Sequence, residues 1–366
     1  PPQLFRLLSH GGKLFSLMKI KKIIMTLVQA GVTFLLLWLL FHDPVRRHQM
    51  VQALHTANLL WLIPGFLCFG LVLVCGAFRW QLLMKVQGIS LGWFRVWQLV
   101  MIGMFFNLCL PGGVGGDLIK VFFAMREAPK SKSAVLLSII VDRIAGMFAL
   151  IIVSAGVFAW FYKPLMSLPM IRAFLLTVGI IFAAFLLLIL LGIAIDKFHL
   201  ANRLPPKMPG HAAILDTARA FSIYARDWKA VMVAVLISMP LNAFIFGTAI
   251  FAAFAFVGNP GAAAMSSVIP IVNTISSLPI SLAGIGVREG LFSVMLNSLY
   301  GTPVDLAVLI SITGFALGVG WGLIGGIIYM TYRPADGGSL SIGEMEAQIG
   351  EVEHQIEVEE ESVDRV

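Results

Sequence analysis

LPGGVGGD, residues 110–117, is the stretch on which the reading of this chain turns. Four glycines and a proline follow Trp97–Cys109, a run with no charged residue, and a carboxylate, Asp117, closes the segment. In a soluble protein this would be an ordinary loop. Here its neighbours are membrane-like, so helix-breaking backbone and a charge both fall at membrane depth. Non-helical backbone is tolerated there only where it is buried in protein or lines a wet cavity. The stretch therefore points to an interior site.

Composition sets the class. Of 366 residues, 59% are apolar and 12% charged, with mean hydropathy +0.92. A soluble domain has about 45–50% and about 25%, so this is a polytopic membrane protein. Cys68, Cys75 and Cys109 all lie in apolar segments, which suggests neither a disulfide framework nor a thiolate metal site. The seven histidines avoid the apolar segments and show no H-E-x-x-H pairing, so no metal site is expected. No Lys-Ser/Thr follows GGVGGD and no strand precedes it, which argues against a nucleotide loop. No cofactor and no nucleic-acid partner are expected. Phe105, Phe106, Phe122 and Phe123 read as packing residues.

Charge is unevenly distributed. Residues 334–366 hold ten acids and one base, a net of −9, which leaves +16 on the rest of the chain. The basic body suits anionic lipid head groups. The tail is a separate solvated element, with Ile342, Met345, Ile349, Val352 and Ile356 at helical spacing. It either plays no part in transport or docks a partner such as a lipid-synthesis enzyme. A homo-oligomer is left open.

A span needs roughly 20 apolar residues. Six segments qualify: 23–41, 58–78, 133–161, 170–195, 230–257 and 304–330. The first carries no A-x-A-like cleavage site and reads as a retained helix rather than a signal peptide. PPQLFRLLSHGG before it lacks an initiator Met and reads as a trimmed or added end. Lys13, Lys19, Lys21 and Lys22, then Arg79, Lys85 and Arg95, then the basic 196–229 linker, all indicate cytoplasmic loops. The expected topology is N-in and C-in in the cytoplasmic (inner) membrane, with Arg46 and Arg47 discordant on the outer side. Residues 207–228 read either as an amphipathic surface helix or as a soluble linker helix.

Two further apolar stretches, 96–127 and 263–300, are broken in the middle by Pro and Gly. Each half is about 15 residues, roughly 22 Å of helix, short of a ~30 Å core. They read as re-entrant hairpins, although 96–127 could also be one long kinked span. The order is then span, span, hairpin, span, twice over. The fold expected is an all-α polytopic membrane protein with six spanning helices plus two re-entrant helical hairpins in an inverted repeat. A basic cytoplasmic N-terminus (1–22) leads into repeat one (23–161, hairpin 96–127). Repeat two follows (162–332, linker 196–229, hairpin 263–300), then the acidic cytoplasmic tail (333–366). LPGGVGGD and LPISLAGIGVRE at 278–289 sit at corresponding positions, as in transporters whose site lies where discontinuous helices meet.

Charges cluster beside both breaks: Asp117 and Lys120, Asp142 and Arg143, Arg288 and Glu289. Each charge at a helix centre costs on the order of 2.5–3.5 kcal/mol on insertion scales, so these should pair or face water. As structure, Asp117 caps its half-helix and an arginine closes an ion pair. As function, Arg143 or Arg288 offers a planar fork to a phosphate, helped by the Gly112–Gly116 amides at a positive helix end. Ser138, Asp142 and Gly146 share a helix face able to accept a hydrogen-bonding or cationic group. Lys120 could snorkel to the interface.

FFNLCLPGGVGGDLIKVFF (105–123), VDRIAG (141–146) and SLPISLAGIGVREG (277–290) together resemble the lysylphosphatidylglycerol synthase transmembrane-region family, over a plan covering roughly residues 20–332. Ala283 departs from the glycine expected in the second motif. The resemblance implies substrate-binding roles for Asn107, Gly112, Gly113, Gly115, Gly116, Asp117, Asp142, Arg143, Gly284, Gly286, Arg288 and Glu289, with Pro111 and Pro279 in the same motifs. It also implies flippase-like movement of a phospholipid or a polyprenyl- or hopanoid-type lipid with an anionic or phosphate head group. Residues 331–366 are too few for the aminoacyl-transferase domain of two-part members, given a usual domain size of about 50–250 residues. Synthase activity is therefore not expected. The alternative is a membrane-embedded transferase acting on a lipid-linked substrate, with Asp117 or Asp142 as acid/base or metal ligand.

Overall fold

The computed structural model describes residues 42–109, 115–129, 131–166, 226–257, 262–276 and 284–334, with single positions or short pieces near 31–39, 176–187, 223–224 and 281. The N-terminus, most of the expected spans 23–41 and 170–195, most of the 207–228 helix and the acidic tail lie outside the described residues, as do Gly112, Gly113 and Ala283.

The described elements are helical. They are α1 (Pro44–Thr56), α2 (Leu62–Val86, entered through a 3-10 turn at Leu59–Trp61), α3 (Trp93–Cys109), α4 (Gly115–Glu127) and α5 (Lys132–Trp160). After these come the short α6 (Tyr162–Met166), α7 (Trp228–Val257), α8 (Ala262–Ser276), α9 (Val287–Tyr300) and α10 (Val304–Thr331). Four segments are long and apolar enough to cross a membrane: Leu59–Val86, Lys132–Trp160, Trp228–Val257 and Val304–Thr331. They match four of the six expected spans. Their outward faces carry Leu67, Leu236, Leu323 and Ile327, all exposed, as suits contact with lipid.

One boundary differs with consequence. The second span was expected to stop at residue 78, with Arg79 in a loop, but α2 continues to Val86. Trp80, Leu83 and Met84, all fully buried, carry the apolar face onward for another two turns. Arg79 is therefore a helix residue. The region of Arg46 and Arg47 is also helical, because the Asp43 side chain accepts from the Val45 N–H and Pro44 stands at the first position of α1. Met50 of α1 packs on Val308 and Leu309 of α10.

Helices α3, α4, α8 and α9, with 17, 13, 15 and 14 residues, are each too short to span alone. They pack as two pairs, α3 with α4 and α8 with α9. Close approach in the first pair requires glycine: a Cβ on Gly116 would stand 2.0 Å from the Gly103 carbonyl oxygen. In the second pair Ser267 and Tyr300 share a 2.7 Å hydroxyl contact, while Ser276 lies against Gly284. Partners pair high number with low, so the two members run antiparallel.

The packing repeats. Apart from the neighbouring α6 on α5 and α1 on α10, α5 contacts α2, α4, α7 and α8, and α10 contacts α7, α9, α2 and α3. Exchanging the halves (α2 for α7, α3 for α8, α4 for α9, α5 for α10) turns one list into the other. α2 and α7 pack along their lengths, with Gly65 against Phe251, Cys68 against Gly247 and Gly76 against Leu241, so they run antiparallel. Small residues allow such backbone approach where lipid supplies no hydrophobic drive between helices. Gly325 likewise lets α10 meet α3, since a Cβ there would stand 2.1 Å from the Met101 carbonyl oxygen.

Candidate functional site

Asp142 is the eleventh residue of the 29-residue α5, about 15 Å along it. The face it shares with Ser138 and Gly146 is filled by Arg79 of α2. Arg79 Nε donates to Asp142 Oδ1 at 2.7 Å and Nη2 to Oδ2 at 3.0 Å, while Nη1 reaches Ser238 Oγ of α7 at 2.8 Å. Gly146 makes room, since a Cβ there would stand 2.9 Å from Nη1. Ser138 Oγ accepts from Trp80 Nε1 at 3.1 Å and donates to the Val135 carbonyl at 2.7 Å. Arg79, Asp142, Ser138 and Ser238 are all buried. The face read as able to accept a hydrogen-bonding or cationic group is thus met by a cation of the chain itself.

The first break adds a second ion pair. Asn107 Oδ1, near the end of α3, accepts from the Gly116 N–H at 3.0 Å and so caps the opening turn of α4. Asp117, the third residue of α4, pairs with Arg143 of α5. Its side chain is 15% exposed against 56% for Arg143. Lys120, one turn further on, does not snorkel outward. It is buried, its ammonium 4.2 Å from the centroid of the Trp80 ring. Asp117, Lys120, Asp142, Arg143 and Arg79 are electrostatic neighbours.

At the second break Gly284 and Gly286 have φ of +74° and +85°, a region that side chains with a Cβ rarely adopt. Glu289, third residue of α9 and 1% exposed, reaches back so that its Oε2 accepts from the Gly286 N–H at 2.6 Å. Its Oε1 accepts from Arg288 Nη2 at 2.7 Å, Arg288 Nε at 3.1 Å and Ser311 Oγ of α10 at 3.1 Å. The Arg288 guanidinium lies 4.7 Å from the centroid of the Phe315 ring. The two halves share a design: a carboxylate in the third position after each break reaches the following span, Asp117 to Arg143 and Glu289 to Ser311. A carboxylate there also suits the positive helix end.

The structure therefore gathers Asn107, Gly115, Gly116, Asp117, Asp142 and Arg143 into one group, and Gly284, Gly286, Arg288 and Glu289 into another. Among the described residues no hydrogen bond or ion pair joins the two groups. The link seen between α5 and α8 is a 3.4 Å contact of Ser154 Oγ with Thr274 Oγ1. Arg79, Trp80, Ser238, Ser311 and Phe315 were not anticipated from the sequence. The available signal for Arg79 was the apolar spacing that continues through Trp80, Leu83 and Met84.

A third polar cluster closes the other end of the first pair. Arg95 pairs with Glu127 at 2.9 Å, and the Tyr332 hydroxyl, just past α10, donates to the same Glu127 oxygen at 2.7 Å.

The family model described as "Lysylphosphatidylglycerol synthase TM region" matches residues 26–326. The chain belongs to this family. All four spans and both broken helix pairs fall within or across the matched range. A UPF0104 membrane protein of Pyrococcus horikoshii is 27% identical over 128 residues, covering 34% of this chain and 37% of that relative. The match thus spans little more than a third of either protein. No solved structure matches the chain.

Proposed function

We propose that the chain is a flippase-like lipid transporter. It moves a phospholipid or a polyprenyl- or hopanoid-type lipid between leaflets through a site at the two broken helix pairs. The observation that carries this reading is the buried polar interior: two carboxylate-centred groups, each at the start of a half-helix, within a shell whose outward faces are apolar. Polar and ionisable groups inside the membrane are expensive and mark substrate pathways. The interchange of packing partners between halves and the antiparallel run of α2 and α7 support the inverted-repeat plan, six spans plus two re-entrant hairpins. In that plan the pathway lies where discontinuous helices meet. The orientation is N-in and C-in in the cytoplasmic membrane, and the site is formed by the residues of the two groups together with Gly112 and Gly113.

The test is reconstitution of the purified protein into liposomes with head-group-labelled lipids. Leaflet exchange well above protein-free vesicles, with lipid masses unchanged, is the expected result. A lipid altered in mass would instead favour the transferase reading, and neither exchange nor chemistry over several lipid classes would sink the proposal.

A further inference from the structure

The buried hydroxyls around the second break fall into two sets. Thr274 Oγ1 donates to the Pro270 carbonyl at 2.7 Å, Ser267 Oγ to the Ala264 carbonyl at 2.8 Å and Ser293 Oγ to the Gly290 carbonyl at 2.8 Å. Ser311 Oγ donates to Glu289. Ser276 and Ser281 differ. The Oγ atoms of both are buried, and among the described residues neither has a hydrogen-bond partner. Ser281 as a whole is 5% exposed. A buried hydroxyl left unpaired forfeits its hydration, so two of them at one break call for an occupant.

Gly284 brings these two serines to one place. Its N–H donates to the Ser281 carbonyl at 3.4 Å, and a Cβ on it would stand 2.9 Å from the Ser276 carbonyl oxygen. Ser276 is also the last residue of α8. The final carbonyls of a helix lack intrahelical donors, and that end carries negative partial charge. On the other side of the break the charges cancel. Glu289 matches Arg288 and accepts the Gly286 N–H at the positive end of α9. The serine corner is therefore rich in oxygen and negative in sign, which disfavours an anion. Among the described residues no group of three or more His, Cys, Asp or Glu side chains is placed to hold a metal ion. The donor set thus suits neither a transition metal nor a calcium-type site built on carboxylates.

We infer that the second break binds a monovalent alkali cation, with Ser276 Oγ, Ser281 Oγ and the carbonyl oxygens ending α8 as its ligands. Carbonyls of unwound backbone and the C-terminal ends of half-helices are the donors that hold sodium ions in transporters with discontinuous helices. The binding stands on the two hydroxyls and the helix end. Its use, coupling an ion to lipid movement, rests on the transport reading.

The experiment follows thermal unfolding of the full chain in a neutral detergent, with sodium chloride replacing choline chloride at constant ionic strength. The melting temperature should rise with sodium and saturate, as for a ligand that binds the folded state alone. Ser281→Ala should raise the sodium concentration giving half the effect about tenfold, the scale of one lost contact to a charge. Ser276→Ala should act in the same direction. In choline chloride alone both variants should melt at or above the parent, because each removes a buried hydroxyl that the protein leaves unpaired. Ser267→Ala removes a paired hydroxyl from the same helix, and should lower melting in both salts while keeping the parent's sodium response. Should Ser281→Ala fail to fold, Ser276→Ala carries the test. A parent that melts alike in sodium and choline would overturn the inference. So would a full sodium response in folded Ser276→Ala and Ser281→Ala, which would leave these hydroxyls to water alone. Leaflet exchange in vesicles is scored separately. Sodium-dependent melting without exchange defeats transport and leaves the cation site, whereas exchange without any sodium effect on melting does the opposite.

Discussion

Neutralising Asp142 tests whether the Arg79 pair holds α2, α5 and α7 together. In Asp142→Asn the Arg79 guanidinium keeps Ser238 and one amide oxygen but loses its counter-charge, at a position where both side chains are buried. Removing one member of a buried pair costs about 3–5 kcal/mol. The remaining amide oxygen places this variant near the lower end of that range. Against a typical total stability of about 5–15 kcal/mol the loss is large. The double change Asp142→Leu with Arg79→Met removes both charges and leaves similar volume, and such replacements range from neutral to about 1–4 kcal/mol stabilising. Unfolding in mixed micelles, arranged as a double-mutant cycle, measures the coupling. Asp142→Asn within about 1 kcal/mol of the parent, below the range for a broken buried pair, would show that the pair does not hold the three helices together. So would a double variant no more stable than the worse single one.

Four further outcomes are expected. Gly116→Ala should destabilise by about 1–3 kcal/mol through overpacking, because its Cβ would meet the Gly103 carbonyl. Gly290→Ala in α9, where a Cβ meets nothing within 4 Å, should be neutral or gain about 0.5–1 kcal/mol of helix propensity; thermal unfolding of both variants checks the contrast. Burial, and then the Glu127 carboxylate that its hydroxyl donates to, raise the ionisation of Tyr332 above its ordinary 10.0. The folded state therefore holds that proton more tightly than the unfolded chain. The contribution is full below pH 10.0 and is lost as pH climbs through the raised value. Tyr332→Phe should flatten this alkaline loss in melting curves taken from neutral pH to beyond 10, and an unchanged slope would count against the contact. Deleting residues 337–366 should leave insertion and lipid exchange largely intact, and a well-folded truncation without exchange would show otherwise.

What the sequence made legible follows from how strongly each feature is determined. Long apolar runs have one cheap solution in a bilayer, so three spans and the start of a fourth were readable almost to the residue, and the Pro- and Gly-rich breaks fell where α3 ends at Cys109 and α9 begins at Val287. The pairing of charges was not readable. Arg79 looked like a loop charge because hydropathy falls at residue 79, although the helical spacing of Trp80, Leu83 and Met84 persists. Its partner Asp142 lies 63 positions away, a separation no local pattern encodes. Lys120 was read as able to snorkel. Its burial depends on a tryptophan from another helix, which only the packing of α2 beside α4 and α5 supplies. Asn107, by contrast, was singled out from its motif, and its short reach to Gly116 follows from the antiparallel packing of α3 on α4.

If the two broken helix pairs form the halves of one lipid pathway, they dip into the membrane from opposite sides. The most direct measurement is single-cysteine labelling with an impermeant reagent in sealed vesicles, on a background with Cys68, Cys75 and Cys109 replaced. Ser90→Cys and Lys132→Cys flank the first pair, and Asn259→Cys and Thr302→Cys flank the second. Ser90→Cys and Lys132→Cys should label together from the cytoplasmic side, and Asn259→Cys and Thr302→Cys together from the outside. Labelling of Asn259→Cys and Thr302→Cys from opposite sides would make 263–300 a true span and contradict the inverted pair.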